Sequence, residues 1–411
     1  MRLEPVWIDL GDLGFDEGGH LLVKRALRRL SPGAEVEVGG TGPDLELHLA
    51  TWCRAQGHRV RPGSPAASGA LAAWIVTRAA DAPGEADGLG WPGAARAGHA
   101  DASRPGAVVE HPPATWGLAA RGARVEPGSP DFGFTLADRI EVWSDDAARL
   151  YAQAVAAQWD PATAVPWSAS FELPDDVEDA VVQVMTYLIE NETAALVIPS
   201  RFIARLHPHF REVMQLLAVQ AADEARHIEV FTRRALLKRA EPGLSTAGGQ
   251  ASLLTLVQEP DFPIASFLLS VLGEGTFLIL LRFLEEHAPD PVTAAVSRLA
   301  AQDEARHVAF GLAHLRRHLA EDPGFRARLA SAVLRRHDAL RHTAGLNAEV
   351  FDALHLLAAG SFASSALRQG HRKVQALLAA MDQGRKGNLE RLGFSPTEAA
   401  DLSSLHTRNF M

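Results

Sequence analysis

Apolar and polar positions follow two different patterns along this chain. In its first part, short apolar runs alternate with polar residues or form short amphipathic stretches, interrupted by glycine or proline. A period of two predicts strands, whereas apolar residues three or four apart predict helices. Residues 1 to about 76 are therefore predicted to form a small α+β unit, with strands at 6–10, 34–38 and 73–76 and helices at 20–30 and 43–56.

Residues 77–125 are rich in alanine, glycine and proline. Segments such as Ala82-Pro83-Gly84 and His111-Pro112-Pro113 do not continue a helix or a central strand, because proline lacks the backbone N–H. We expect a linker here. Residues 126–411 then form the remaining domain, which begins with a lead-in and one predicted helix at 144–158.

Long helical periods dominate the chain from about residue 174 onward. Pro174-Asp175-Asp176 is an acidic helix start. Four long helices are predicted at 175–205, 210–239, 261–287 and 291–319, and further helices at 323–344, 346–381 and 396–403. The predicted fold class is mainly α: a four-helix bundle with extra C-terminal helices, preceded by the small α+β domain.

The stretch from Ile264 to Leu284 is apolar on almost every side and has the length of a membrane span. Glu274 lies at its centre, however, and a carboxylate in the middle of a bilayer is costly. The same pattern suits a central bundle helix that is buried on all sides and carries one inward ligand. We therefore predict no membrane association.

Composition narrows the function further. The chain has 411 residues, and its formal net charge of −10 argues against nucleic acid as a main partner. Cys53 is the only cysteine, so neither an intrachain disulfide nor a metal centre ligated by several cysteines can form. The first residues lack the pattern of a signal peptide, and we expect a cytoplasmic protein.

The pentapeptide Asp-Glu-Ala-Arg-His occurs twice, at 223–227 and at 303–307. Each copy contains Glu-x-x-His, which puts a carboxylate and an imidazole on one face of a helix. Two such pairs on facing helices, with one further glutamate from each of two other helices, form a known two-metal site of four-helix bundles. An ordinary exposed helix explains one copy of the motif but not two identical ones.

The further glutamates are also present. Glu192 lies 32 residues before the first motif glutamate, and Glu274 lies 30 residues before the second. At about 1.5 Å rise per residue, 30 residues can hold an ascending helix, a turn and a descending helix. The predicted metal ligands are therefore Glu192, Glu224, His227, Glu274, Glu304 and His307.

An internal repeat bears on the choice of the first ligand, since Glu190 competes with Glu192. Arg201-Phe202 begins nine residues after Glu192, and Arg282-Phe283 begins eight residues after Glu274. The matching offsets favour Glu192.

With these motifs in place, residues from about 150 to 411 resemble the ferritin-like di-iron superfamily, and the order of the ligands looks like its oxygen-activating branch. The resemblance implies two iron ions, or manganese in the same ligands, and O₂ as a co-substrate. It also implies that Asp223 and Asp303 orient metal-bound histidines across the site.

Two positions depart from subgroups of that superfamily. The position of a radical tyrosine, one turn after the first motif histidine, holds Phe231. The only tyrosines are Tyr151 and Tyr187, so we expect no stored tyrosyl radical. The position of a third histidine found in arylamine N-oxygenases holds Ala300, which argues against that subgroup.

Residues 1 to about 76 resemble the TusA-like sulfur-carrier family more faintly. The resemblance rests on Ile8-Asp9-Leu10, Ser31-Pro32-Gly33 and Thr51-Trp52-Cys53-Arg54. The family's reactive Cys-Pro would fall near Asp16-Glu17-Gly18, where there is no cysteine. We therefore expect a unit that does not carry sulfur.

Other side chains near the motifs have simpler expected roles. Arg226 and Arg306 should pair with buried carboxylates, and Phe277, Leu278 and Phe310 should form apolar walls. Gly273 and Gly275 either give Glu274 room to move, leave space for substrate or allow close helix packing. Solvated positions are expected for His207, His209, His287, His314, His318 and His337.

The function predicted from the sequence is that of a non-haem di-iron oxidase or oxygenase acting on a small organic molecule. The alternatives are an iron- or peroxide-handling ferritin-like protein and a non-catalytic, metal-stabilised scaffold. An external electron donor, a partner protein at the N-terminal unit and a homodimer all stay open.

Overall fold

The computed structural model describes residues 6–63, 73–79, 95–126, 128–341 and 348–405. The chain divides into two units: Met1–Ala107 with Ala119–Pro130, and Val108–Leu118 with Asp131–Met411. The domain limits derived from the sequence stay a prediction. In the interval expected to be a linker, the described residues include a short antiparallel pair, β5 (Ala95–Arg96) with β6 (Arg124–Val125).

The first unit is built on a mixed four-stranded sheet with the order β1-β2-β4-β3. β1 runs parallel to β2, and β4 runs antiparallel to both β2 and β3. Alternate residues of β2, Val36 and Val38, are fully buried among apolar residues of the two helices. The strands are β1 (Val6–Asp9), β2 (Glu35–Gly39), β3 (Arg59–Pro62) and β4 (Ala73–Thr77), and the helices are α1 (His20–Leu27) and α2 (Leu45–Ala55).

Cys53 lies in α2 and is fully buried in the core of the first unit. Burial raises the pKa of its thiol to about 12. Only the thiolate is a strong nucleophile, and its fraction at neutral pH is therefore negligible. The segment around Asp16 and Glu17, where the resemblance to sulfur carriers would place a reactive cysteine, forms a short π-helical turn at Phe15–Gly19.

We expect Cys53 in the folded protein to resist iodoacetamide at about pH 8 and to react after unfolding in guanidinium chloride. The reaction should begin to appear only as the pH approaches the raised pKa, because the thiolate is absent below it. Intact-mass spectrometry measures the modification, with Cys53→Ser as the blank. Stoichiometric labelling of the native protein within minutes would show that the thiol is accessible after all.

The second unit confirms the mainly α, ferritin-like bundle predicted from the sequence. Two short helices, α3 (Arg139–Val142) and α4 (Ala147–Ala156), precede it. The bundle consists of α5 (Asp175–Ile203), α6 (Arg211–Ala235), the chain from α8 (Phe262–Ser266) to α9 (Glu274–Glu286), and α10 (Pro291–Glu321). α5 packs along α6, α9 packs along α10, and α6 meets α10.

Helix α7 (Ala247–Val257), between α6 and α8, was not predicted from the sequence. Its start follows a common rule, since the Thr246 side chain accepts a hydrogen bond from the Gly249 N–H. Two glycines in its first turn conceal the helical pattern, because glycine disfavours helix interiors.

The C-terminal helices are α11 (Phe325–Leu340), α12 (Ala348–Ala359), α13 (Ser364–Arg391) and α14 (Pro396–Ser404). The single helix predicted at 346–381 is wrong, because α12 and α13 are two helices bent by 116°. Gly360 ends α12 with a φ of +72°, a backbone conformation that favours glycine.

Two helical stretches in the described part of the chain are long and apolar enough to cross a membrane, Asp175–Ile203 and Phe262–Glu286. Their most apolar windows are 67% and 78% buried inside the protein. Burial on this scale matches the central bundle helix expected around Glu274, while the absence of membrane association stays a prediction.

Candidate metal centre

The six predicted ligands come together in the middle of the bundle. α5 carries Glu192, α6 carries the first Glu-x-x-His pair, α9 begins at Glu274, and α10 carries the second pair. Each of these side chains points inward because it lies on the side of its helix whose apolar residues pack into the core. All six are buried, with exposed fractions of at most 4%. Glu190, the competitor of Glu192, is only partly buried.

The ligand atoms form two overlapping clusters. One consists of Glu192, Glu224, His227 and Glu304, and within it the offered atoms lie within 4.8 Å of one another. The other consists of Glu224, Glu274, Glu304 and His307, with the same spacing. Glu224 and Glu304 belong to both clusters, whereas Glu192 and Glu274 each belong to one. Such an arrangement could hold two ions, with Glu224 and Glu304 available to both.

Each histidine presents one ring nitrogen to the carboxylates and the other to an aspartate across the site. His227 Nδ1 is 3.2 Å from Glu224 Oε2, and His227 Nε2 is 3.1 Å from Asp303 Oδ2. Likewise, His307 Nδ1 is 3.1 Å from Glu224 Oε1 and His307 Nε2 is 3.3 Å from Asp223 Oδ2. An aspartate that accepts the outer N–H leaves the inner nitrogen as an electron-pair donor.

The arginines of the repeated motif close this network on its outer side. Arg226 donates to Asp223 and, at 2.8 Å, to Asp303, and Arg306 donates to Asp303. The prediction that these arginines pair with buried carboxylates is confirmed. Because both aspartates are tied to cations and to histidines, their orientation is determined by several contacts at once.

Two contributors to the network were missed in the sequence. Gln158 donates from Nε2 to Asp223 Oδ1 at 2.8 Å, and Trp159 donates from Nε1 to Asp303 Oδ2 at 2.8 Å. The Trp159 ring is nearly parallel to that of His227, with centroids 6.4 Å apart. Both residues follow α4 in a lead-in loop, and no local motif marks them.

The donor set fits a pair of divalent ions. Two buried carboxylate oxygens, Glu192 Oε1 and Glu274 Oε2, have no hydrogen-bond partner among the described residues. Glu224 Oε1 and Glu304 Oε1 each lie near a histidine nitrogen, at 3.1 Å and 3.4 Å, but do not form a hydrogen bond of good geometry with it. Leaving buried charged oxygens unpaired is costly, and metal ions are one way to remove that cost. Two divalent ions would balance the four carboxylates, and oxygen and imidazole donors suit iron and manganese.

The pKa values describe the cluster without metal. Burial, and then repulsion from Glu224 and Glu304, raises the pKa of Glu192 well above its usual value. Burial, and then Glu304, does the same for Glu274. Burial lowers the pKa of His227, but nearby carboxylates, Glu192 first, more than offset this and raise it. These groups therefore keep their protons to a higher pH than isolated side chains do, and a metal ion would displace those protons.

Glu274 lies where the helix changes its geometry. The segment Phe267–Gly273 before it is π-helical, and such turns are rare and frequently lie at functional sites. Gln220 Nε2 donates to Glu274 Oε1 at 3.1 Å. A Cβ atom on Gly275 would lie 2.6 Å from Asn388 Nδ2, so for this glycine the structure supports close helix packing.

A narrow cavity adjoins the residues that contact Glu274. Gln220, Ser266 and Ser270 are the polar residues of its lining, and the other lining residues are apolar. Phe310 lines it as expected, but Phe277 and Leu278 do not. The complete lining is Ile198, Pro199, Phe202, Leu217, Gln220, Phe262, Ser266, Leu269, Ser270 and Phe310.

The expectation of solvated histidines is wrong for four of the six. His207, His209, His314 and His318 are each at most 4% exposed. His314 Nδ1 lies 3.2 Å from the Trp143 carbonyl oxygen, and its ring stacks with Phe310. Burial lowers the pKa of His314 to about 4, so the ring is neutral at physiological pH. Long-range contacts of this kind are not visible in helical periodicity.

We expect Asp303→Asn to weaken metal binding by roughly tenfold or more. The amide cannot stabilise the His227 N–H as a carboxylate does, and it leaves Arg226 and Arg306 without an anionic partner at this position. Competition titration with a chelating dye measures the change. Trp159→Phe removes a single hydrogen bond to the same carboxylate and should have a smaller effect. Equal affinity in wild type and Asp303→Asn would contradict the role of the aspartate.

Comparisons with known proteins add little to this geometry. The chain matches no protein-family model and no curated protein. Among solved structures it is similar to an R2-like ligand-binding oxidase from Sulfolobus acidocaldarius, with 16% identity and a TM-score of 0.41, over 62% of this chain and 93% of that one. A mutant R2-like ligand-binding oxidase with an aerobically reconstituted Mn/Fe cofactor gives 18% identity and a TM-score of 0.42, over 62% of this chain and 95% of that one. Likenesses of this strength do not carry the ligand or reaction of those proteins over to this chain.

Proposed function

We propose that this chain is an O₂-dependent oxidoreductase that holds two metal ions, either two irons or one manganese and one iron, and oxidises a small organic substrate. The observation that carries the proposal is the pair of overlapping clusters that share Glu224 and Glu304. Such an ion pair, when reduced, would supply electrons to O₂. The protein contributes the binding, orientation and shielding of the ions.

The side chains divide this work. The four glutamates and two histidines would bind the ions, and Asp223 and Asp303 hold the histidine rings in one orientation. Gln220 holds one oxygen of Glu274 and leaves the other without a partner. The cavity beside it is lined mainly by apolar residues, which would exclude water and favour an apolar portion of the substrate.

Metal uptake should depend on pH in a defined direction. The pKa values of Glu192, Glu274 and both histidines are raised, so these four groups keep their protons to a higher pH than isolated side chains do. Metal binding must release these protons, so the apparent affinity should fall as the pH is lowered from roughly 8 to roughly 6. Dye competition at several pH values and proton release into a weak buffer test this. An affinity that is independent of pH would contradict it.

A single-turnover experiment tests the proposed function. The protein is loaded anaerobically with ferrous ions and then mixed with O₂, with and without candidate substrates. We expect rapid O₂ consumption and substrate oxidation. Freeze-quench spectroscopy should find no long-lived tyrosyl signal, because the position one turn after His227 holds Phe231 and not a tyrosine. Ferric mineral accumulating well beyond two irons per chain would instead indicate iron storage. Failure to react with O₂ would favour a scaffold.

The partners and the location of the protein stay predictions from the sequence. They comprise an external electron donor or a partner protein at the N-terminal unit, a homodimer and a cytoplasmic setting.

A further inference from the structure

A second cavity lies against the same helical segment that leads to Glu274. Leu268 and Leu272, one turn apart, line it, whereas Ser266, Leu269 and Ser270 line the cavity at the metal centre. The two cavities therefore adjoin different faces of one helix. The complete lining of the second is Leu268, Leu272, Val333, Arg336, His337, Leu340, Arg385, Leu389, Leu402, Ser403 and Leu405.

Two guanidinium groups stand out in this leucine-rich lining. Arg336 donates to the Ser252 carbonyl, the Ser252 hydroxyl and the Thr255 hydroxyl, which are all neutral. Within the described chain, no carboxylate lies within ion-pair distance of Arg336. An arginine exposed to solvent needs no carboxylate partner, because water stabilises its charge. In a largely apolar cavity, a cation without a nearby anion raises the free energy of the folded state.

The second guanidinium is only weakly compensated. Arg385 donates to the Ser403 hydroxyl at 3.0 Å, and its nearest carboxylate, Asp382, is 3.8 Å away. Asp382 is shared with Lys386, at 2.5 Å. Burial lowers the pKa of Arg336 and of Arg385 to about 10, yet both remain cations at neutral pH. The cavity thus carries a positive excess in a protein whose net charge is −10.

We propose that this cavity binds a small carboxylate with an apolar body. The carboxylate pairs with Arg336 and Arg385, whose planar groups suit two-point hydrogen bonding to such an anion, and the body lies among the leucines. This site is separate from the proposed metal centre and does not require a metal.

Three matched six-carbon probes test the head group: hexanoate, hexan-1-ol and hexylamine. Binding to the full-length, metal-loaded protein is measured by isothermal titration calorimetry and by the shift in melting temperature, since a ligand that binds the folded state stabilises it. We expect hexanoate to bind at least tenfold more tightly than either other probe. Equal binding of hexan-1-ol and hexanoate would overturn the proposal.

Variants locate the site. Arg336→Gln and Arg385→Gln should each weaken hexanoate binding at least tenfold. The control is Arg335→Gln, because Arg335 is the exposed neighbour of Arg336, and it should leave hexanoate binding unchanged. Leu402→Trp fills the apolar part of the cavity and keeps both arginines, and it should also block hexanoate binding. This variant still tests the site if an arginine variant does not fold. Glu304→Ala, which disrupts the metal centre, should leave hexanoate binding unchanged. Wild-type affinity in both arginine variants, or loss of binding in Glu304→Ala alone, would refute this site.

Discussion

Replacement of Glu304 by alanine is expected to abolish binding of both metal ions, whereas Glu192→Ala should retain one. Glu304 lies between the two positions: its Oε1 is 3.4 Å from His227 Nδ1, and its Oε2 is 3.3 Å from His307 Nδ1. Loss of a shared carboxylate removes a donor from each ion and exposes the two ions to mutual repulsion. Glu192 belongs to one cluster only. Metal content per chain after anaerobic loading and desalting measures the difference.

The matched control is Glu190→Ala, which changes the same residue type two positions earlier on the same helix. Glu190 is partly exposed and belongs to neither cluster, so this variant should keep both ions. Far-ultraviolet circular dichroism must show that all three variants fold. Two ions retained by Glu304→Ala would refute the shared role. Loss of an ion in Glu190→Ala but not in Glu192→Ala would show that Glu190, and not Glu192, is the ligand on α5.

Much of the candidate site could be predicted because its information is local and repeated. The spacing in Glu-x-x-His determines which side chains share a helix face, and two copies with upstream glutamates at similar distances imply two helix pairs. Glu192 could be preferred to Glu190 because only its offset to Arg201 resembles that between Glu274 and Arg282. The structure brings all six side chains together.

What sequence periodicity could not predict depends on contacts between distant parts of the chain. Gln158 and Trp159 reach aspartates 65 and 144 residues away, and nothing in their own segment indicates this. The break between α12 and α13 was missed because the helical pattern continues on both sides of Gly360. Buried histidines such as His314 were placed at the surface because a polar residue at a helix end is usually solvated.

For Arg234, the sequence predicts the inward position but not the partners. Arg234 lies seven residues after His227 on α6, so helical phase puts it on the inward face, one turn beyond Phe231. Its partners are not visible in the local sequence. The guanidinium is fully buried and donates to both oxygens of Glu178 on α5, to Asp290 at 2.8 Å and to the Thr293 hydroxyl at 2.8 Å. It therefore joins three helices of the bundle.

We expect Arg234→Met to destabilise the second unit by about 3–5 kcal/mol. Methionine fills much of the volume, but it leaves the buried carboxylate of Glu178 without its cation, and an uncompensated buried charge is more costly than the loss of the pair itself. Asp290 retains its hydrogen bonds from the Val292 and Thr293 N–H groups and should keep the start of α10 intact. Urea unfolding, followed by tryptophan fluorescence and circular dichroism, measures the change.

The neighbouring residue supplies the control. Arg233 is exposed, and its guanidinium lies 4.0 Å from the centre of the Trp167 ring. An exposed cation–π contact contributes about 0.5–1 kcal/mol, so Arg233→Met should destabilise far less than Arg234→Met. The double variant Arg234→Met with Glu178→Met removes both charges and should recover part of the loss, because α5 no longer carries an unpaired buried carboxylate. If Arg233→Met and Arg234→Met are equally mild, the buried ion network does not stabilise the bundle as its geometry implies.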